Sequence, residues 1–380
     1  MRATLRRVVG DGDNDWQLER VPAEANASLR AWTTADVALL DHARDSNLIG
    51  AQTRLLIVND EFGALGVGVG QHHPQWWSDS YVSARALRHN LELNGIEVDA
   101  VTCVPGDAVP NGPIDLVLMR FPKSLAWLED QLLRLRPSLA PGAQVIAGGM
   151  IKHTPRRAFE LLEECIGPTK TGLGWKKSRL AFATFDADLA CDPGVSAKVI
   201  DVNDMRLSSR PNVFSWAALD LGARALLPHL AAPQDATSIV DQGCGNGVLG
   251  LALARDNPDA RIVGIDESFQ AVASARDNAA AAGLSPDRVS FEVTDDLQDA
   301  GIEAADLIVC NPPFHQSHTI GDHIAWAMFS QAKQALRQGG VYLIVGNRHL
   351  DYSAKLKRLF GNCVQVAADK RFVVLRATKR

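Results

Sequence analysis

Two stretches of this chain match each other in order. Ile57-Val58-Asn59 answers to Ile239-Val240-Asp241, and Gly63-Ala64-Leu65-Gly66 answers to Gly247-Val248-Leu249-Gly250, with two residues fewer between the anchors in the first copy. Asn90 and Gly95 answer to Asn278 and Gly283, and Asp115 and Arg120 to Asp306 and Asn311, each pair five apart. The tail Lys177-Ser178-Arg179-Leu180 resembles Lys370-Arg371-Phe372-Val373. Such a series in one order indicates duplication, and a duplicated chain must fold into two copies of one architecture.

Within each copy, short apolar runs alternate with helix-periodic stretches. In the first copy Leu55-Leu56-Ile57-Val58, Leu116-Val117-Leu118-Met119 and Gln144-Val145-Ile146-Ala147 read as strands. Residues 80–93 and 125–135 read as helices, the former stopped at Asn94-Gly95. In the second copy strands are expected at 238–241, 261–265, 289–293, 306–310 and 341–345, with a terminal hairpin over 363–377. A helix is expected over 219–230. This alternation implies a parallel sheet with crossover helices in each copy. At 380 residues the chain has room for two such cores. Asp192-Pro193-Gly194 is a turn, and 196–201 with 205–209 reads as a hairpin, so the boundary falls near residue 192. The domains expected are 1–191 and 192–380.

Asp241-Gln242-Gly243-Cys244-Gly245-Asn246-Gly247 joins a β-branched strand to a helix. Its glycines let backbone approach a ligand and expose helix N-terminal N–H groups. The acid before the first glycine would repel the pyrophosphate of a dinucleotide and tolerate a cation. The loop therefore suits S-adenosylmethionine, which carries a sulfonium and an ammonium, better than NAD. Asp266, closing the next strand, is placed to accept from both ribose hydroxyls. Asp295 or its neighbour Asp296, after the third strand, is placed to meet the adenine edge.

The fourth strand of the second copy, Leu307-Ile308-Val309-Cys310, ends in Asn311-Pro312-Pro313-Phe314. Active sites of open α/β sheets lie at that carboxyl edge. Asn311 offers an amide oxygen, Pro312 a carbonyl on stiff backbone, and Phe314 a flat face. Two acceptors and a ring suit an exocyclic amine on a planar base. Guanine N2, adenine N6 and a glutamine amide all answer that description. His315 is placed to orient the target or relay a proton. The first copy has Arg120-Phe121-Pro122-Lys123 here, and Arg cannot accept a hydrogen bond, so that copy is expected to keep the fold without the chemistry.

Net charge is −5, so any nucleic-acid surface must be local. One local candidate is 152–179, where Lys152, Arg156, Arg157, Lys170, Lys176, Lys177 and Arg179 face only Glu160, Glu163 and Glu164. Six scattered cysteines with no Cys-x-x-Cys pair argue against metal clusters and disulfides and for a reducing cytoplasm. No apolar run is long enough for a membrane span, and the N-terminus lacks an apolar signal core.

Together these stretches resemble the ribosomal RNA guanine-N2 methyltransferases with a duplicated methyltransferase fold. The resemblance covers nearly the whole chain. Its most specific carriers are Trp175-Lys176-Lys177-Ser178-Arg179-Leu180, Asn212-Val213-Phe214-Ser215 and Asn347-Arg348-His349-Leu350-Asp351-Tyr352, beside the glycine loop and Asn311-Pro312-Pro313-Phe314-His315-Gln316. It implies two tandem Rossmann-like class I domains with seven-stranded, mostly parallel sheets, the N-terminal one degenerate and RNA-binding. It implies S-adenosylmethionine as cofactor, held by Asp241, Gly243, Gly245, Asn246, Gly247, Asp266, Asp295 and Phe214. It implies catalysis by Asn311, Pro312 and Phe314, and substrate contacts from Pro313, His315, Lys176, Lys177 and Arg179. The first-half segments favour the large-subunit branch, a monomer giving N2-methylguanosine in 23S rRNA; the alternative branch acts on 16S rRNA. A non-catalytic RNA-binding assembly factor is the alternative from another class.

Overall fold

The computed structural model describes residues 3–5, 15–23, 29–191, 197–313 and 318–380. It divides into two compact units, Met1–Ser196 and Ala197–Arg380.

The sheet of the first unit has seven strands: Leu55–Val58, Gln75–Ser78, Thr102–Pro105, Ile114–Arg120, Leu139–Met150, Thr169–Thr171 and Ser178–Thr184. Counted in chain order, they lie third, second, first, fourth, fifth, seventh, sixth across the sheet. The sheet of the second unit has Ser238–Gln242, Arg261–Asp266, Val289–Val293, Ala305–Cys310, Leu336–Asn347, Val364–Ala368 and Phe372–Thr378, in the same spatial order. In both, the first five strands are parallel and the seventh runs antiparallel between the fifth and sixth. The expected α/β architecture, present twice, is what the chain forms.

The physical reason is visible in the central strands. Leu55–Val58 and Ala305–Cys310 are buried at every residue, as strands covered on both faces require. Each sheet carries an apolar core on each face. The helix after the second strand is capped alike in both units, by Ser80 on the Ser83 N–H and by Ser268 on the Ala271 N–H.

Three expectations change. Gln75–Ser78 and Thr102–Pro105 are strands that the apolar pattern passed over, one built on Trp76-Trp77 and the other closed by Pro105. The expected helix over 219–230 is Leu221–Leu226 with a 3-10 turn, Leu227–His229. Asp220 caps it, with a side-chain oxygen 3.0 Å from the Ala223 N–H.

The third change concerns the repeat. Ile57 pairs with Leu118, two residues before Arg120, as Asp241 pairs with Val309, two residues before Asn311. Strand register therefore sets Ile57, not Asn59, level with Asp241. From there to the helix-opening glycine is six residues in each copy, Ile57 to Gly63 and Asp241 to Gly247. The first loop is not shortened; its glycines are replaced, Gly243 by Asn59 and Gly245 by Glu61. Asn59 keeps the left-handed backbone of its counterpart, φ 60° against 75°. The tail shifts likewise, since Arg179 is level with Val373 rather than Phe372.

The hairpins also belong to the repeat. Asn278 donates to the carbonyls of Ser208 (2.8 Å) and Asn246 (2.9 Å) and accepts from the Ser208 N–H (2.7 Å). Asn90 donates to the carbonyls of Glu19 (2.9 Å) and Phe62 (2.8 Å) and accepts from the Glu19 N–H (2.8 Å). Each asparagine thus ties its glycine loop to the chain just after or within the second strand of a leading hairpin, Trp16–Leu18 in one unit and Met205–Ser209 in the other.

Candidate active site

In the second unit the carboxyl edge of the sheet brings the glycine loop, Asp266, Asp295 and Asn311 onto one side of the fold. Gly243, Gly245 and Gly247 all have positive φ (75°, 55° and 84°), which a side chain would strain. A Cβ at Gly245 would meet nothing within 4 Å, so the loop's open face is bare backbone. The Gly243 and Cys244 N–H groups bond the Ile265 carbonyl, and the Gly245 N–H donates to Asp266 Oδ2 at 2.9 Å. Asp266 Oδ1 accepts from the Ser268 N–H at 3.0 Å. Burial raises the Asp266 carboxyl above its ordinary range, against those backbone donors.

Asp241 does not line this face. It is fully buried, with Oδ2 on the Gly250 N–H at 2.8 Å and Oδ1 without a partner. Burial pushes its carboxyl up to about 7. Its side chain holds the first helical turn beneath the loop. In the first unit Asp60, three residues further along, reaches the equivalent Gly66 N–H at 2.9 Å and is likewise pushed up to about 7. The Asn246 side chain donates to Ser209 Oγ (2.9 Å) and accepts from the Val248 N–H (3.3 Å). Of the two candidate acids, Asp296 accepts through its carboxylate from the Gln298 N–H at 2.8 Å and from Gln331 Nε2 at 3.4 Å. Phe214 is 56% exposed.

Asn311 is half-buried and Pro312 buried, while Pro313 is exposed. Asn311 Nδ2 donates to Asp220 Oδ2 at 2.8 Å, and Asn311 Oδ1 is buried with no partner among the described residues. Phe314 and His315 lie outside the described residues. The sequence reading passed over Asp220, and the only signal available was its place before a helix. Gln242 accepts from the Tyr342 hydroxyl (3.1 Å) and donates to the Met328 carbonyl and to Gln331 (both 3.2 Å). Gln331 in turn donates to the Asp295 carbonyl at 3.0 Å, so this chain of amides runs beneath the site.

The same edge of the first unit holds a different set. Arg120 stands where Asn311 does, and its guanidinium donates to the buried carboxylate of Asp36. Of the basic residues expected nearby, Arg156 is paired with Glu160 at 2.8 Å and Arg157 with Glu164 at 2.5 Å. Arg179 is half-buried, with Nε enclosed and unpartnered. Lys176 and Lys177 are exposed at the tip of a tight turn that Trp175 and Ser178 close through reciprocal 2.8 Å hydrogen bonds. Both lysines have positive φ, 42° and 71°. Lys176 Nζ lies 4.5 Å from the centre of the Trp175 ring, and Leu173 beside it is 95% exposed.

Residues 8–187 match the family model described as RLMG N-terminal domain, and 204–376 match the methyltransferase small domain. A protein of Ectopseudomonas mendocina named ribosomal RNA large subunit methyltransferase G is 47% identical over 366 residues, 96% of this chain and 97% of that one. One of the same name from Pseudomonas entomophila is 46% identical over 367 residues, 96% and 98% of the two chains. The chain belongs to the ribosomal RNA large subunit methyltransferase G family. Membership makes it an S-adenosylmethionine-dependent ribosomal RNA methyltransferase, as the resemblance implied. A solved structure of a T. thermophilus 16S rRNA methyltransferase (RsmC) with AdoMet and guanosine matches all of this chain and 98% of its own, with a TM-score of 0.74 at 21% identity. At that identity the match speaks for the tandem fold.

Proposed function

We propose that the second unit methylates the exocyclic N2 of one guanine in 23S rRNA. The observation that carries this reading is the Asn311 side-chain oxygen: buried, unpartnered, and at the close of the central strand. A buried acceptor without a donor is costly, and a base amino group would satisfy it.

In this reading the backbone of Gly243, Gly245 and Gly247 and the carboxylate of Asp266 hold the cofactor, with Asp266 on the ribose and Asp295 at the adenine. The bare backbone at Gly245 supports that placement of the loop. When bound, S-adenosylmethionine supplies an electrophilic methyl carbon on a sulfonium. The Asn311 oxygen and the Pro312 carbonyl accept from the guanine N2–H groups and stabilise the positive charge that develops on N2. Phe314 stacks on the extruded base, offsetting an unstacking cost of roughly a few kcal/mol. Pro313 and His315 border it, His315 as an orienting group. The first unit, taken as 1–191, binds RNA through Lys176 and Lys177, whose exposed ammonium groups suit phosphates. Among the described residues no helix is long and apolar enough to cross a membrane, and the proposed setting is the cytoplasm.

Asn311→Ala should lower turnover by roughly 10²–10³-fold while leaving cofactor affinity near the native value by calorimetry. Nucleoside analysis of 23S rRNA treated with the variant reads the product. Full N2-methylguanosine formation by Asn311→Ala would overturn the assignment.

A further inference from the structure

We infer that Asp220 is a positioning residue that fixes which edge of the Asn311 amide faces the substrate; the inference rests on the proposed function. An asparagine side chain can present either its oxygen or its NH2 group by turning about its last bond. With the NH2 facing a guanine amine, donor would meet donor and the site would fail. A carboxylate accepts only, so the edge of Asn311 that faces Asp220 must be the NH2. The 2.8 Å bond from Asn311 Nδ2 to Asp220 Oδ2 therefore turns Oδ1 the other way, where it is enclosed and without a partner among the described residues.

Asp220 is itself held in place. The same Oδ2 accepts from the Ala223 N–H at 3.0 Å, so the helix N-terminus fixes the oxygen that fixes the amide. The first unit gives an internal comparison. Asp36, set back from Gly63 by the same twenty-seven positions as Asp220 from Gly247, addresses the residue closing its own fourth strand, Arg120. In both units a carboxylate at this place meets an N–H donor at that strand end. Only in the second unit does the donor residue also carry an acceptor to be aimed.

The test uses Asp220→Ser in the full chain. Serine caps a helix well but is too short to reach Asn311. Expected are a melting temperature and S-adenosylmethionine affinity close to native, with kcat on unmethylated 23S rRNA lowered roughly 10- to 100-fold, the span of a hydrogen bond to a charged group. Placed on Asn311→Ala, the same change should cost nothing more. Asp220→Asn keeps an acceptor oxygen for both N–H groups and should recover most of the rate. Native kcat in Asp220→Ser, or an equal further loss in the double variant, would overturn the inference. If Asn311→Ala is inactive while Asp220→Ser is fully active, only this inference falls. If Asn311→Ala methylates fully, the proposed function falls first.

Discussion

Replacing Asp241 by Asn separates two accounts of the glycine loop. In one, the charge of Asp241 attracts the cofactor. In the other, which the geometry favours, Asp241 is a buried strap on the Gly250 N–H whose carboxyl is pushed up to about 7. An ordinary aspartate titrates near 3.9, so the rise of about 3 units corresponds to roughly 4 kcal/mol between the protonation states. The sign follows from proton binding. Between about pH 4 and about pH 7 the folded unit keeps the Asp241 proton that the unfolded chain has released. The contribution is fully present below the unfolded value and is lost as pH rises through the folded one. Asparagine cannot ionise. The stability of Asp241→Asn relative to the native chain should therefore rise by up to about 1.4 kcal/mol per pH unit from about pH 4 to about pH 7, then level off. Hydrogen exchange of peptides covering 238–266 reads this for the second unit alone, where exchange reports opening equilibria. Calorimetry on the same samples should find cofactor affinity close to native. A stability difference that does not change with pH would refute the strap account. So would a collapse of cofactor affinity in the variant.

Two further perturbations follow from the repeat and from the turn. Asn278→Ala deletes three hydrogen bonds and leaves buried backbone groups behind, which should cost the second unit roughly 3–5 kcal/mol and most of its cofactor affinity. Asn90→Ala should destabilise the first unit by a similar amount and leave cofactor affinity unchanged; equal effects of the two on binding would reject the assignment of the cofactor to one unit. Replacing Lys176 and Lys177 together by Gly should stabilise the turn, because both positions have positive φ. It should also weaken RNA binding and lower the slope of log affinity against log salt by about 2, and an unchanged slope would remove these lysines from the interface.

The fold was largely legible in the residues. Buried parallel strands leave apolar runs, and the halves carried them in one order. The tetrad at Asn311 stands out in the sequence because an asparagine and two prolines close a buried strand at the carboxyl edge of the sheet. Side-chain partners across long sequence distances were not. Asp220 and Asn311 are separated by 91 positions, and nothing local distinguishes a capping aspartate from one that also aims an amide. The basic stretch carries less free charge than its composition suggests. Arg156 with Glu160 stands at helical i,i+4 spacing, and Arg157 with Glu164 two turns apart, so their pairing could have been anticipated. Matching glycine to glycine misplaces the loop by two residues, because Asn59 takes the left-handed conformation without being a glycine.

What separates the two copies can be argued position by position. The contacts that shape backbone occur in both: Asn90 and Asn278 at the loop, Gly63 and Gly247 opening the helix with φ 85° and 84°, Ser80 and Ser268 at the next helix. The side chains that would meet a ligand differ. Glu61 puts a carboxylate where Gly245 leaves bare backbone, and Arg120 puts five donors where Asn311 keeps an acceptor. The Asp36–Arg120 pair then gives the first unit a buried ion pair whose two members must stay together, since either alone would be an uncompensated charge. Removing Arg120 would therefore leave the buried Asp36 without its ion-pair partner, while the backbone of that unit is held by the same kind of contacts that hold the second one.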